Sequence, residues 1–217
     1  MEALPSDIRR YSFRDGLNDD LLRSGGFRRG TMAVSREQAL AIVEQYISDR
    51  RLIRHILAAE AVMRALARRL GRDEVKWGLA GLLHDIDIEL VDRDFTRHGS
   101  KAVAILTGLG VDDEIIDAVT MHNESWHGRG RISEFQHALA ASDRLTFVII
   151  SVGRALPDKA LKGVTVDAVM ERLQSQTFKA MPEYENILEC ERIGIPLREF
   201  VSICVAAMKA ESDHLGM

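Results

Sequence analysis

Residues 81–90 read GLLHDIDIEL. An apolar run leads directly into His84-Asp85, and two further acids, Asp87 and Glu89, follow among isoleucines. Imidazole and carboxylate groups brought into a core must find partners, because an unpaired buried polar group costs more than the burial returns. The fold therefore depends on what precedes this pair and on what meets it. The preceding residues have helical period. Asp73 is an N-cap, the apolar positions run on to His84, and Gly78 and Gly81 sit inside the helix. Glycine weakens a helix interior by roughly 1 kcal/mol, so the two glycines predict close approach of another helix.

The same period extends along the chain from residue 35. Ser35 with Gln38 forms a capping box ahead of an apolar stripe at Ala39, Ile42, Val43, Tyr46 and Ile47. Leu52, Ile56, Ala59, Met63, Leu66 and Leu70 make the next stripe, which stops at Gly71. Further helices are expected over about 99–107, from Asp112 to His122, from Ser133 (a second capping box, with Gln136) to about 152, from Thr165, over about 183–192, and from Pro196 to about 210. No segment alternates with period two for long enough to require a strand. The expected fold class is all-α. The domain should span 33–212, with an N-terminal arm over 1–32 and a short tail over 213–217. Met32, followed by AVSREQAL, is read as a candidate translation start. An intact mass beginning at Met1 or Glu2 would exclude it.

Bulk composition narrows the function classes. The chain has 217 residues, 29 Lys and Arg against 33 Asp and Glu, and a net charge of -4, which does not fit a general binder of long nucleic acid. No apolar run reaches the roughly 18 residues of a membrane span. The two cysteines, Cys190 and Cys204, form no CxxC pair, so neither a disulfide framework nor a thiolate zinc site is expected. No signal-peptide pattern opens the chain, and a cytoplasmic location is the expectation.

The metal-capable side chains fall one or two to a helix: His55, His84 with Asp85, His98, His122 and Asp143. His55 is followed by Ile-Leu-Ala-Ala and Asp143 is preceded by Ala-Leu-Ala-Ala-Ser, so neither occupies a solvated face. Taken singly, each has an ordinary reading as a hydrogen-bonded core residue, a cap or a helix start. The set is harder to dismiss, because six independent coincidences would be required.

The order His…His-Asp…His…His…Asp, with GLLHDID at its centre, resembles the HD-domain superfamily of metal-dependent phosphohydrolases, and most closely a bacterial group of compact, all-helical single domains. The resemblance covers nearly all of 36–210. It implies a multi-helix bundle with the metal site between helices, in which His55, His84, Asp85 and Asp143 hold one divalent ion. In dinuclear members two more histidines lie between the HD pair and the last Asp, and His98 (in RHGSKAVAIL) and His122 (in MHNES) match them. The RHGSKAVAIL segment is similar to the diadenosine-tetraphosphate hydrolases of the superfamily. There are departures. Many relatives read HDIGK, whereas HDIDI has no lysine, and no GYP motif supports cyclic-di-nucleotide hydrolysis.

A ligand set of imidazole and carboxylate without thiolate suits Fe, Mn, Ni, Co, Zn or Mg, as one or two ions. Such ions screen phosphoryl charge and lower the pKa of water. The expected activity is hydrolysis of a nucleotide-like phosphoester or phosphoanhydride by a metal-bound hydroxide. Asp85 is expected to bridge two ions and, with His84, to be central to catalysis. Arg144, Arg54, Arg97 and Lys101 are the candidate phosphate contacts, and the partner is a small phosphorylated substrate. Two alternatives stay open: a mononuclear nucleotidase in which His98 and His122 contact substrate, and a non-catalytic metal- or nucleotide-binding sensor. Asp87 and Glu89 are read chiefly as caps of the loop that follows, with the orienting of ligands or a general-acid role as the second reading. Trp126 is read either as a base-stacking ring or as a packing lid.

Overall fold

In a computed structural model, residues 34–157 and 160–216 are described. The expected arm over 1–32, the first domain residue at 33 and the Met32 start lie outside the described residues. The rest is helical, and no strand occurs among the described residues.

Helix α1 (Arg36–Tyr46) begins at Ser35, whose side chain accepts the Gln38 N–H while Gln38 returns a bond to the Ser35 N–H. α2 (Arg50–Leu70) starts on Asp49 and ends at Gly71, whose φ of 65° is the left-handed conformation a glycine tolerates best. α3 (Glu74–Leu83) starts on Asp73, which accepts from two backbone N–H groups, and ends at His84. Its middle is packed tightly on α2. A Cβ built on Gly81 would lie 2.7 Å from the Ala59 carbonyl oxygen, and one on Gly78 2.7 Å from Arg64 Nε. The two glycines are thus the close-approach positions that the sequence predicts.

From Leu83 to Lys101 the chain runs through successive turns, with Asp92 and Arg93 both at positive φ. α4 (Ala102–Gly108), α5 (Asp113–Met121) and the short α6 (Glu124–His127) follow. α7 (Glu134–Ala155), opened by the Ser133–Gln136 capping box, lies at the centre and packs against α2, α5 and the C-terminal helices. α8 (Val166–Gln174), α9 (Gln176–Lys179), α10 (Pro182–Leu188) and α11 (Leu197–Ala210) complete the bundle. The helix expected over 183–192 is split. α10 ends at Leu188, and Glu189–Ile193 tightens into a 3-10 turn closed by Gly194 at φ 73°. Where the sequence suggests a tail, α12 (Ser212–Leu215) forms and buries Leu215.

One continuous apolar core joins these elements, from Ala39 and Val43 through Ile56, Leu66, Leu83 and Leu139 to Phe200 and Met208. Glu60, 3% exposed within it, is neutralised by Arg36 and Arg64. Cys190 and Cys204 are free and buried. No helix among the described residues is long and apolar enough to cross a membrane.

Candidate metal centre

The six residues singled out in the sequence converge. α2 supplies His55, the end of α3 supplies His84 and Asp85, the turn before α4 supplies His98, the end of α5 supplies His122, and the middle of α7 supplies Asp143. All six are buried. They form two groups able to hold an ion, His55–His84–Asp143 and Asp85–His98–His122.

In the first group His55 Nε2 lies 3.0 Å from Asp143 Oδ1 and 3.1 Å from His84 Nε2. In the second, His98 Nε2 lies 2.9 Å from His122 Nε2 and 3.0 Å from Asp85 Oδ1. Asp85 spans the two: Oδ1 faces His98 and His122, whereas Oδ2 lies 3.4 Å from His84 Nε2 and 3.6 Å from His55 Nε2.

The far side of each imidazole determines what the near side offers. His84 Nδ1 faces the Gly81 carbonyl at 2.8 Å and His122 Nδ1 the Val119 carbonyl at 2.5 Å, so both must carry hydrogen there. His98 Nδ1 donates to Asp87 Oδ1 at 2.8 Å. His55 Nδ1 donates to Thr146 Oγ1 at 3.0 Å, and that hydroxyl gives its own proton to the Asp143 carbonyl. Every neutral imidazole therefore presents its Nε2 lone pair to the cluster. Two lone pairs about 3 Å apart repel each other unless positive charge lies between them.

The titration behaviour has the same origin. Burial disfavours ionisation of Asp85 and Asp143, yet the former is held well below the usual carboxylate range by His84, His122 and His98, and the latter by Arg144, His55 and His84. Burial pulls His84 down, but Asp85 and Asp143 push it up to about 10. His98 is likewise lifted against burial, by Asp85 and Asp87, to about 9. His122 is lowered, by burial first and by the neighbouring imidazoles against the pull of Asp85. Ligands about 2.1 Å from one ion stand about 3.0–3.5 Å apart, which is the spacing within each close pair. The donor chemistry and the spacing thus fit divalent cations.

Several positioning residues escape the sequence reading or, like Asp87, enter it only as a second choice. Asp87 is fully buried and does more than cap a loop: besides orienting His98 it accepts the N–H groups of Gly99, Lys101 and Ala102. Its trace in the sequence is a lone acid between two isoleucines, both buried. Thr146 stands one helical turn beyond Asp143 with no distinguishing pattern. Asn123 donates to the carbonyls of Phe95 and His98, tying that turn to the end of α5. Arg131, its side chain fully buried, donates to the carbonyls of Met121 and His122 and caps α5. Glu189, which also accepts from His137, holds Arg131 in place together with Glu124 and Asn186. Glu89 fastens the turn after α1 by accepting from Ser48 and Asp49.

The four expected phosphate contacts separate. Arg144 is at the cluster, with Nε 3.3 Å from Asp143 Oδ2. Arg54, about 100° around α2 from His55, has its guanidinium against Gly216 at the C-terminal turn. Arg97 is exposed on the turn before His98, and the Lys101 N–H serves Asp87. Trp126 lies on Gly99, where a Cβ would meet its ring at 3.1 Å and φ is 101°, so it packs on the backbone that follows His98.

A family model described as HD domain matches residues 52–148, a span that contains all six clustered residues. The match is narrower than the 36–210 of the sequence resemblance and leaves out the segment that carries Glu189. The match supports the resemblance to the HD-domain superfamily over those residues, a superfamily of metal-dependent phosphohydrolases with some non-catalytic members. No curated protein and no solved structure matches the chain.

Proposed function

We propose that this chain is a divalent-metal-dependent phosphohydrolase acting on a nucleotide-like phosphoester or phosphoanhydride, with two ions in its site. The observation that carries the reading is the divided orientation of Asp85, one oxygen toward His98 and His122 and the other toward His84 and His55. His55, His84 and Asp143 would hold one ion and His98 and His122 the other, with Asp85 shared. Bound there, divalent ions supply charge neutralisation for the phosphoryl group and an activated water.

The protein's own contribution is orientation. Asp87, Thr146 and the carbonyls of Gly81 and Val119 lock the four imidazole tautomers with Nε2 inward. Arg144 stands beside Asp143, where its guanidinium can take a phosphoryl oxygen. The buried free thiols are compatible with the reducing cytoplasm as its location. The test is metal analysis of protein purified without chelator, together with turnover of a nucleotide panel, for wild type and Asp85→Asn. Two ions per chain and turnover are expected in the wild type, and loss of both in the variant. One ion per chain would favour the mononuclear reading, and turnover by Asp85→Asn at the wild-type rate would refute the assignment.

A further inference from the structure

Five large apolar side chains are exposed among the described residues: Val75, Phe95, Ile132, Phe147 and Met181. The two phenyl rings among them both rest on candidate ligand imidazoles. Phe147, 43% exposed, stacks on His55 with centroids 3.8 Å apart and planes 18° apart. Phe95, 53% exposed, meets His98 edge-on with centroids 6.2 Å apart. His55 and His98 belong to different ligand groups, so each half of the centre has a part-exposed phenyl ring against one of its imidazoles. Arg144 connects the two features, its guanidinium 5.8 Å over the Phe95 ring and its Nε beside Asp143.

We infer that Phe95 and Phe147 are the specificity-determining surface of this site, and that they take a planar aromatic group, of nucleobase type, carried on the phosphorylated substrate. This rests on the reading of the cluster as a phosphoryl site. Neither ring is fully covered among the described residues. Phe147 lies between Thr146 and Val148, both buried, and turns a large part of its ring to solvent on a helix whose exposed positions ordinarily hold polar residues. An apolar ester group would gain only buried area from such rings. A flat ring also gains stacking geometry from them and from the guanidinium plane. The charges agree with this assignment: the Arg144 guanidinium stands between the Phe95 ring and Asp143, where the phosphate of a nucleotide would connect base and ligands.

The test is calorimetric binding to the Mn-loaded protein of adenosine and uridine 5′-monophosphates and of ribose 5-phosphate, which has the same phosphoester without a base. Turnover of all three is measured alongside. The readout is the ratio of dissociation constants, base-free over base-bearing. Base stacking on aromatic side chains predicts a ratio of roughly 10 or more in the wild type. Phe147→Leu and Phe95→Leu should each move it toward one, and Phe147→Trp should preserve it. A wild-type ratio near one, or a ratio unchanged in both leucine variants, overturns the inference even if all three compounds are hydrolysed. A ratio that collapses in the leucine variants while nothing is hydrolysed upholds the inference and overturns the hydrolase reading instead.

Discussion

Replacing Gly81 by alanine tests the link between helix packing and the site. Alanine is the better helix former by about 1 kcal/mol, so propensity alone predicts a gain. The structure predicts a loss. The added Cβ would stand 2.7 Å from the Ala59 oxygen, 2.8 Å from the Ala59 carbonyl carbon and 2.9 Å from Glu60 Cα. All three are backbone atoms of α2 and cannot rotate away, so α2 and α3 must separate by about half an ångström. Overpacking of this kind costs ~1–3 kcal/mol, and with two rigid walls the upper half of that range applies. After the propensity gain, a net loss of ~1–2 kcal/mol remains, which lowers Tm by roughly 2–8 °C in a domain of this size. Gly78→Ala is the internal control. Its Cβ would meet only the Arg64 side chain, also at 2.7 Å, which can swing aside at the expense of its bonds to Glu60 and the Glu74 carbonyl. Because the flexible Arg64 can re-form its bond to Glu60 from another rotamer, one such loss, ~0.5–1.5 kcal/mol, remains and roughly cancels the propensity gain. Urea denaturation of both variants measures the difference. Because the Gly81 carbonyl also accepts the His84 Nδ1–H, Gly81→Ala should weaken metal retention as well. A Gly81→Ala protein as stable as wild type, or less affected than Gly78→Ala, would refute the packing argument.

Asp87→Asn keeps the shape but turns an amide toward backbone N–H donors, so the affinity of the His98–His122 half for metal should fall by about 10- to 100-fold, read by metal titration; unchanged affinity would remove the orienting role of Asp87. Arg131→Met strips the cap from α5 and leaves Glu189 without its buried cation, a loss of ~3–5 kcal/mol measurable as a lowered urea midpoint. A loss below about 1 kcal/mol would mean that this network behaves like a surface pair. Chelation should lower Tm, and readdition of Mn at a hundred times its Kd should restore ~2.7 kcal/mol; a Tm indifferent to both would contradict the metal assignment. Burial pushes the Cys190 thiol up to about 12 and Cys204 well above its usual value. Both stay protonated when folded, while unfolded thiols ionise above about pH 8.5, so this stability is complete below that pH and is lost as pH rises toward 12. The slope is ~1.4 kcal/mol per pH unit for each thiol. Urea midpoints of wild type and Cys190→Ala at pH 8 and 9.5 check it, and equal slopes in the two proteins would contradict it.

The sequence alone determined the parts that depend on neighbours a few residues apart. Capping at Ser35, Asp73 and Ser133, the stop at Gly71 and the apolar stripes are local, and they define the helices of an all-α domain. The six clustered residues were legible for a related reason: imidazoles and carboxylates on apolar helix faces are costly there without partners, so each stands out, and their order resembles a family. Helix breaks set by tertiary packing were not legible, such as the 3-10 turn at Glu189–Ile193 and the final turn that buries Leu215.

Only the tertiary structure decided how the six residues divide into two groups, which way Asp85 faces, and which residues hold the imidazoles in place. Asp87, Thr146, Asn123 and Arg131 act across gaps of 11, 91, 25 and 9 residues on His98, His55, the His98 carbonyl and the His122 carbonyl. A hydrogen bond between residues so far apart leaves no periodic mark in the chain. The same limit applies to the arginines. Arg54 and Arg144 each stand next to a candidate ligand in sequence, yet a step of about 100° around a helix carries Arg54 to the C-terminal turn, while Arg144 stays at the cluster. Sequence adjacency sets a residue's angle on its own helix, and only the packing of helices sets what lies at that angle.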